Sequence, residues 1–341
     1  MKLTKAMAAL ALSFTMAGAA GAQDQDWDAV VKAAQEEGTV VVYNSQLGSP
    51  QFGAVIQSFQ DKYGIEVQSM DVRASELSER VRTEQAAGRY LGDVLMHSAG
   101  SIEILAKDQG VEYEPHGDVP NMANLRDDLL TKATDVHVPG FLQVYGILVN
   151  TNLVSEEDEP KSWADLADPK WKGKILSDDM RPLGSGGTMF VVTQKTLGSE
   201  YHEKLAMNEP VFSRDLRNDA RRVARGEYPL YTPQMFAFAN DLQQLPVKVV
   251  IPEEGVPYVP IHFAILKNAP RPNAAKLFIN HFLDTEQQTT YAKAWMAPVV
   301  KGVVENLDEQ SKRYAQAKLL GTRELDEYGP MMELATQIYG R

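Results

Sequence analysis

The stretch Asp178-Asp-Met-Arg181-Pro-Leu-Gly-Ser-Gly-Gly-Thr188 joins an arginine to glycines that expose backbone N–H groups just before a predicted helix near Thr188. An arginine's planar fork donates two parallel hydrogen bonds to a carboxylate, phosphate or phosphonate. A helix N-terminus offers free N–H groups to the same oxygens. Arg181, Ser185, Gly186 and Thr188 are therefore expected to bind an anion; the alternative is a capping loop in which Arg181 pairs with Asp178 or Asp179. The Lys-Ser/Thr ending of a nucleotide-binding loop is missing. Enzymatic chemistry is poorly supplied: the chain has no cysteine and no His-Glu-X-X-His or Gly-X-Ser-X-Gly motif, and its six histidines lack metal-ligand spacing. Carboxylates brought together in space are the enzyme alternative.

Further candidates lie where predicted strands end and helices begin. Asn44-Ser-Gln-Leu-Gly48 separates a strand ending at Tyr43 from a helix beginning near Pro50, and His97-Ser-Ala-Gly-Ser101 has the same character. Ser45, Gln46, Ser98 and the backbone at Ala99 could hold ligand oxygens there, because open α/β sheets bind ligands beyond the carboxyl ends of their strands. Arg214 follows a short strand predicted over 211–213, whereas Arg217, Arg221, Arg222 and Arg225 read as a solvated face. Tyr231, Thr232 and Gln234 follow another strand predicted over 228–231.

The elements that must position these residues alternate between strand and helix. Trp27, Val30, Val31 and Ala34 form one helical face ending at Gly38, and a buried strand follows over 39–43. Ser49 and Pro50 start an amphipathic helix that carries Phe52, Val55, Ile56, Phe59 and Tyr63 and stops at Gly64. Strands over 65–70 and 93–96 alternate with helices over 75–88 and 101–109. A long apolar strand covers 141–150, short strands 174–177, 211–213 and 228–231 follow, and 257–266 is a further strand. The pattern indicates an α/β fold.

Lys267-Asn-Ala-Pro-Arg-Pro-Asn-Ala-Ala-Lys-Leu-Phe-Ile-Asn-His-Phe-Leu283, with Thr285-Glu-Gln-Gln288 after it, resembles the signature of bacterial extracellular solute-binding proteins. The resemblance runs from about residue 27 to about residue 300 and includes the tryptophans of Ser162-Trp to Trp171-Lys. It implies a two-lobe, type II periplasmic binding protein fold, each lobe a mixed sheet flanked by helices. Residues 23–139 and 262–300 would form lobe 1 and 140–261 lobe 2, with 301–341 packing on lobe 2. Crossings near 140 and 262 would make the hinge that lets the lobes close. Tyr145 then faces the cleft or fills the interlobe core, and His262 either senses ligand charge or makes an interlobe hydrogen bond. The implied role is that of an ABC importer's binding component, serving an inner-membrane permease as a monomer without a cofactor.

The chain also resembles ferric-ion binding proteins, which place a histidine in the first loop, an acid in the second and two adjacent tyrosines after Gly-Glu-X-Pro. Here those places hold Leu47, Ser98, Phe236 and Ala237, none of which suits ferric iron. The resemblance therefore implies an importer without a metal site, binding a small organic or phosphorylated anion; iron held by Tyr228 and Tyr231 is the alternative.

Composition sets the compartment. Lys2 and Lys5, an apolar run over 6–20 and the small residues Ala20-Gly-Ala22 read as a cleavable signal over 1–22, so the protein is expected in a periplasm. Without the signal the chain is two units more negative than its formal net charge of −12, which argues against nucleic-acid or anionic-membrane partners. Its 341 residues exceed one typical domain of ~100–200 residues.

Overall fold

The computed structural model of the protein describes residues 27–46, 48–182, 184–324 and 326–340; the predicted signal and Leu47 lie outside them. Its strands are β1 (Thr39–Asn44), β2 (Glu66–Asp71), β3 (Val94–Ser98), β4 (Tyr113–Glu114), β5 (His137–Asn150) and β6 (Ile175–Asp178). They continue as β7 (Val211–Ser213), β8 (Leu230–Met235), β9 (Val247–Val250), β10 (Val256–Leu266), β11 (Ala297–Pro298) and β12 (Leu319–Gly321).

The strand order β2-β1-β3-β10-β5-β8-β6-β7 describes two mixed α/β units sharing two long strands. At one end β1 runs parallel to β2 and β3, and at the other β6 runs parallel to β7 and β8. Between them β5 and β10 pair antiparallel from Val144–Tyr258 to His137–Ala264. The remainder of β5 pairs with β8 and β9. This is the two-lobe, type II arrangement, with β5 and β10 as the crossings. Residues 138–142 and 144–149 of β5 are buried on both faces, which explains why the strand reads as a continuous apolar run.

Local sequence sets the helix ends. In the helix Pro50–Tyr63, Ser49 Oγ accepts from the Phe52 N–H at 3.4 Å, and Gly64 closes the far end at φ 69°, a left-handed conformation that favours glycine. Its Phe52 and Phe59 meet Phe278 of the helix Pro272–Phe282 with ring centroids 6.4 and 5.3 Å apart. Ala274, Ala275, Phe278, Ile279 and Phe282, the apolar stripe of the signature, are all fully buried. Each such large side chain contributes about 1.5–3 kcal/mol of apolar burial.

Three elements depart from the sequence expectation. β5 starts at His137, ahead of 141, because its first residues pair with β10. β8 extends to Met235, hydrogen-bonded on one side to β5 and on the other to β6, so Tyr231, Thr232 and Gln234 lie inside a strand rather than beyond its end. The helix Ser185–Met207 begins three residues before Thr188 and is interrupted at Gly198, where φ is 80°.

Past residue 300 the chain divides. In the helix Glu309–Ala315, Tyr314 stacks on Trp295 at 4.1 Å and meets Phe236 edge-on. β12 pairs with the start of β10, and the helix Tyr328–Tyr339 packs against the helix Ser185–Met207. Among the described residues no helix is long and apolar enough to cross a membrane.

Candidate functional site

A cleft of about 260 Å³ opens where the two units meet. Ser45 and Gln46 enter it from the end of β1, and Ser98 from the end of β3. Tyr145 lies on its floor in β5, and Ser185 enters from the start of the helix Ser185–Met207. These five come from four separate stretches of the chain, and the ends of parallel strands bring Ser45, Gln46 and Ser98 together beside the crossing strand β5.

The first loop is held from behind. Asn44 donates to Ser69 Oγ at 2.8 Å and to the Met70 carbonyl at 3.1 Å, while its own oxygen accepts from the Gln46 N–H at 3.0 Å. In the second loop, Ser98 caps the helix Ala99–Gln109: its Oγ accepts from the Ser101 N–H at 3.3 Å and donates to Ser101 Oγ at 2.7 Å. His97 Nδ1 accepts from the Ser98 N–H at 2.9 Å, which leaves Nε2 to face Ser78 Oγ at 3.0 Å. Burial pushes His97 down to about 4, and the nearby Arg323 adds to that shift, so the ring is neutral near pH 7. Tyr145 donates its hydroxyl to Gln143 at 3.2 Å, and burial raises its pKa.

The glycine-rich turn is built differently from the sequence expectation. Asp178, at the end of β6, accepts from Ser185 Oγ at 2.5 Å and from the Gly186 N–H at 2.7 Å. A carboxyl group of the chain itself thus occupies the helix start that was expected to receive a ligand anion. Burial raises the Asp178 pKa, with those two hydrogen bonds acting against it. Gly186 is glycine because a Cβ there would collide with the Asp178 and Asp179 backbone. Thr188 is buried and donates its hydroxyl to the Gly184 carbonyl at 3.0 Å.

Arg181 lies outside the cleft. Its Nε and Nη2 grip Asp179 at 2.8 and 2.9 Å, and its guanidinium sits 5.1 Å from the Phe212 ring centre, beside a separate groove. Arg214 is exposed and does not line the cleft. Tyr231 and Gln234 are fully buried in β8; the Tyr231 hydroxyl has no hydrogen-bond partner among the described residues, and Gln234 donates to the Met235 carbonyl at 2.7 Å. Ala99 and His262 line a smaller neighbouring cavity of about 110 Å³, where His262 Nδ1 lies 2.8 Å from His137 Nδ1.

Of the charged groups that line the cleft, Arg217 departs from the solvated face expected of it, and Asp241 and Arg323 carry no sequence expectation. Arg217 binds Asp241 at 3.0 Å and lies over the Phe238 ring at 4.1 Å, so the pair is electrically balanced. Arg323, from the segment between β12 and the helix Tyr328–Tyr339, has no carboxylate within ion-pair distance among the described residues. Its Nη1 donates to the Gly184 carbonyl at 3.3 Å, and burial lowers its pKa. No local motif marks Arg323; the pairing of Leu319 and Gly321 with Val256 and Pro257 brings it to the cleft. Among the described residues no three His, Cys, Asp or Glu side chains cluster as metal ligands.

The chain is 26% identical over 306 residues to a spermidine/putrescine-binding periplasmic protein of Escherichia coli, covering 84% of this chain and 81% of that one. It is 27% identical over 156 residues to an uncharacterised protein of Haemophilus influenzae, an alignment spanning 43% of this chain and less than half, 45%, of that protein. Iron-bound HitA from Pseudomonas aeruginosa superposes with a TM-score of 0.69 at 21% identity, covering 88% of this chain and 99% of that one. AfuA from Actinobacillus pleuropneumoniae, with fructose-6-phosphate bound, gives 0.66 at 20% identity, covering 89% and 98%. The model of the bacterial extracellular solute-binding protein family matches residues 93–327. With its two α/β units, paired crossing strands and a cleft between them, the chain belongs to the bacterial extracellular solute-binding proteins.

Proposed function

We propose that this protein is the substrate-binding component of an ABC importer, exported to the periplasm, where it captures a small organic anion between its lobes and presents it to a membrane permease. The observation that carries the anion is Arg323: a cleft-lining guanidinium, largely withdrawn from water, without a carboxylate partner among the described residues. A cation so placed is costly unless an anion joins it. Ser45, Ser98 and Ser185 supply hydroxyls to the same space. Binding one lobe first and recruiting the other would close the β5 and β10 crossings over the ligand.

The relatives bind iron, a sugar phosphate or polyamines by their names, so the ligand class has to be argued from this chain's residues. A polyamine needs free carboxylates, and the cleft's Asp241 is already neutralised by Arg217. Ser98, Phe236 and Ala237, at the places of iron ligands in the resembling pattern, offer ferric iron no phenolate, carboxylate or imidazole.

A thermal-shift series on the purified chain with organic acids, spermidine and ferric citrate tests the reading. A ligand at 100 times its dissociation constant adds about 2.7 kcal/mol, which raises Tm by a few degrees. Stabilisation by spermidine or ferric iron, with none by any organic anion, overturns it.

A further inference from the structure

The cleft's charge and its walls narrow the ligand further than "anion", an inference that rests on the anion-importer reading. Arg217 and Asp241 cancel each other, His97 is neutral, and among the described residues no lysine lines the cleft. Arg323 is left as one positive charge. Asp178 stands close behind, already holding the Ser185 hydroxyl and the Gly186 N–H. A dianion would meet one guanidinium and one nearby carboxyl group, a poor balance for two negative charges in a partly dehydrated space. A monoanion matches it.

The walls are mainly apolar. Leu216, Met235, Phe238, Val259, Ile261 and Met296 face the cleft, with Ala237 at one of the places where the resembling iron proteins carry tyrosines. A sugar hydroxyl turned toward Phe238, Ile261 or Met296 would be buried without a hydrogen bond, at a cost for each, and only those facing Ser45, Ser98 or Ser185 would find a partner. A hydrocarbon or aromatic body loses nothing there and gains from leaving water. At about 260 Å³ the space lies just below the ~300–1,000 Å³ of most ligand pockets, which favours a small ligand.

We infer that the ligand is a small monocarboxylic acid with an apolar or aromatic body, its carboxylate on Arg323 and its body against Phe238, Ile261 and Met296, rather than a phosphate ester of a sugar.

Calorimetry on the full chain, freed of bound small molecules by unfolding and refolding, tests this with phenylacetate, 4-methylpentanoate, glycolate, phenyl phosphate and fructose 6-phosphate. The expected result is that phenylacetate or 4-methylpentanoate binds at least ten times more tightly than any of the other three. Arg323→Gln should weaken that binding about ten- to a hundredfold. Phe238→Ser should weaken phenylacetate by a larger factor than glycolate. Tight binding of either phosphate ester, lost in Arg323→Gln, overturns the monocarboxylate assignment while leaving the anion reading standing. Binding of neither apolar acid overturns the assignment as well. A chain that responds only to spermidine or ferric citrate overturns both.

Discussion

Arg323 donates from Nη1 to the Gly184 carbonyl across 3.3 Å, which sets a cation from the segment before the last helix against the residue that precedes the helix Ser185–Met207. One guanidinium N–H is thereby spent on the protein, and the rest of the fork is held near the cleft. Lysine keeps the charge but not the planar pair of donors. Arg323→Lys should therefore lose about 1–2 kcal/mol of binding to a carboxylate ligand and Arg323→Gln more, with Tm in the absence of ligand changing little in both. Calorimetry with the strongest-binding organic acid checks the order; equal affinities for wild type and Arg323→Gln would remove Arg323 from the site.

Asp178 leads to the opposite expectation. Its carboxyl group caps the helix start from inside the chain, where an external anion would otherwise sit. Asp178→Asn retains an oxygen acceptor for the Gly186 N–H and removes a source of negative charge. Affinity for a doubly charged phosphate ester should rise about two- to fivefold, in keeping with the ~0.3–1 kcal/mol that a charge at a helix N-terminus commands. An unchanged or lower affinity for phenyl phosphate would show that Asp178 does not set the cleft's charge balance.

Acid should destabilise the protein through its buried histidines. Burial pushes His97 and His281 to about 4, and His202 and His262 to about 3. In the unfolded chain these rings take up protons near the ordinary value of ~6.5, while the folded chain resists them. The unfolded state therefore binds more protons between about pH 6.5 and the folded values, and stability falls as pH drops through that window. Asp93 and Asp178, whose carboxyl groups burial raises, act in the opposite direction just above their ordinary values and blunt the loss. His202 bridges Thr193 Oγ1 at 3.0 Å and the Tyr339 hydroxyl at 2.7 Å, joining the helix Ser185–Met207 to the helix Tyr328–Tyr339. His202→Gln should lower Tm at pH 7.5 and flatten its fall toward pH 4.5. A wild-type Tm that stays level from pH 7.5 to 4.5 would contradict this account.

How much of this was legible in the sequence depended on whether the information was local. Ser49, Pro50 and Gly64 mark a helix by chemistry acting within a few residues, and the structure starts and ends it where they indicate. The loops at Ser45–Gln46 and Ser98 are legible as cleft-lining because a strand followed by a helix places its turn at a sheet's carboxyl edge. The glycine-rich turn misled: Arg181 has an acid two residues away and grips it, a local pairing that outcompetes reach into the cleft. Tyr231 and Gln234 were placed beyond a strand whose true end depends on pairing with β5 and β6, segments far away in sequence. Arg323 and Asp241 carry no local signal, and Arg217 reads as part of a solvated arginine face, since only tertiary pairing decides which of many charged residues meets the cleft.

The signature segment has a role for Arg271 that its apolar stripe does not reveal. Asp93, fully buried just before β3, accepts from Arg271 Nε at 2.7 Å, from the Arg271 N–H at 2.9 Å and from the Val41 N–H at 2.7 Å. One carboxyl group thus ties the start of the helix Pro272–Phe282 to two parallel strands of the first unit. Burial nevertheless raises the Asp93 pKa, so desolvation outweighs the arginine and the three hydrogen bonds. Removing the arginine leaves that cost in place and takes away the compensation. Breaking a buried pair from one side costs ~3–5 kcal/mol, and the Arg271 side chain, 23% exposed, puts the expected loss at the low end. Arg271→Ala should lower denaturant stability by about 3 kcal/mol, while a simultaneous Asp93→Asn should recover part of it, because the amide needs no counter-charge. If the double variant is no more stable than Arg271→Ala alone, the carboxyl group is not the source of the penalty and the helix start is held by other contacts.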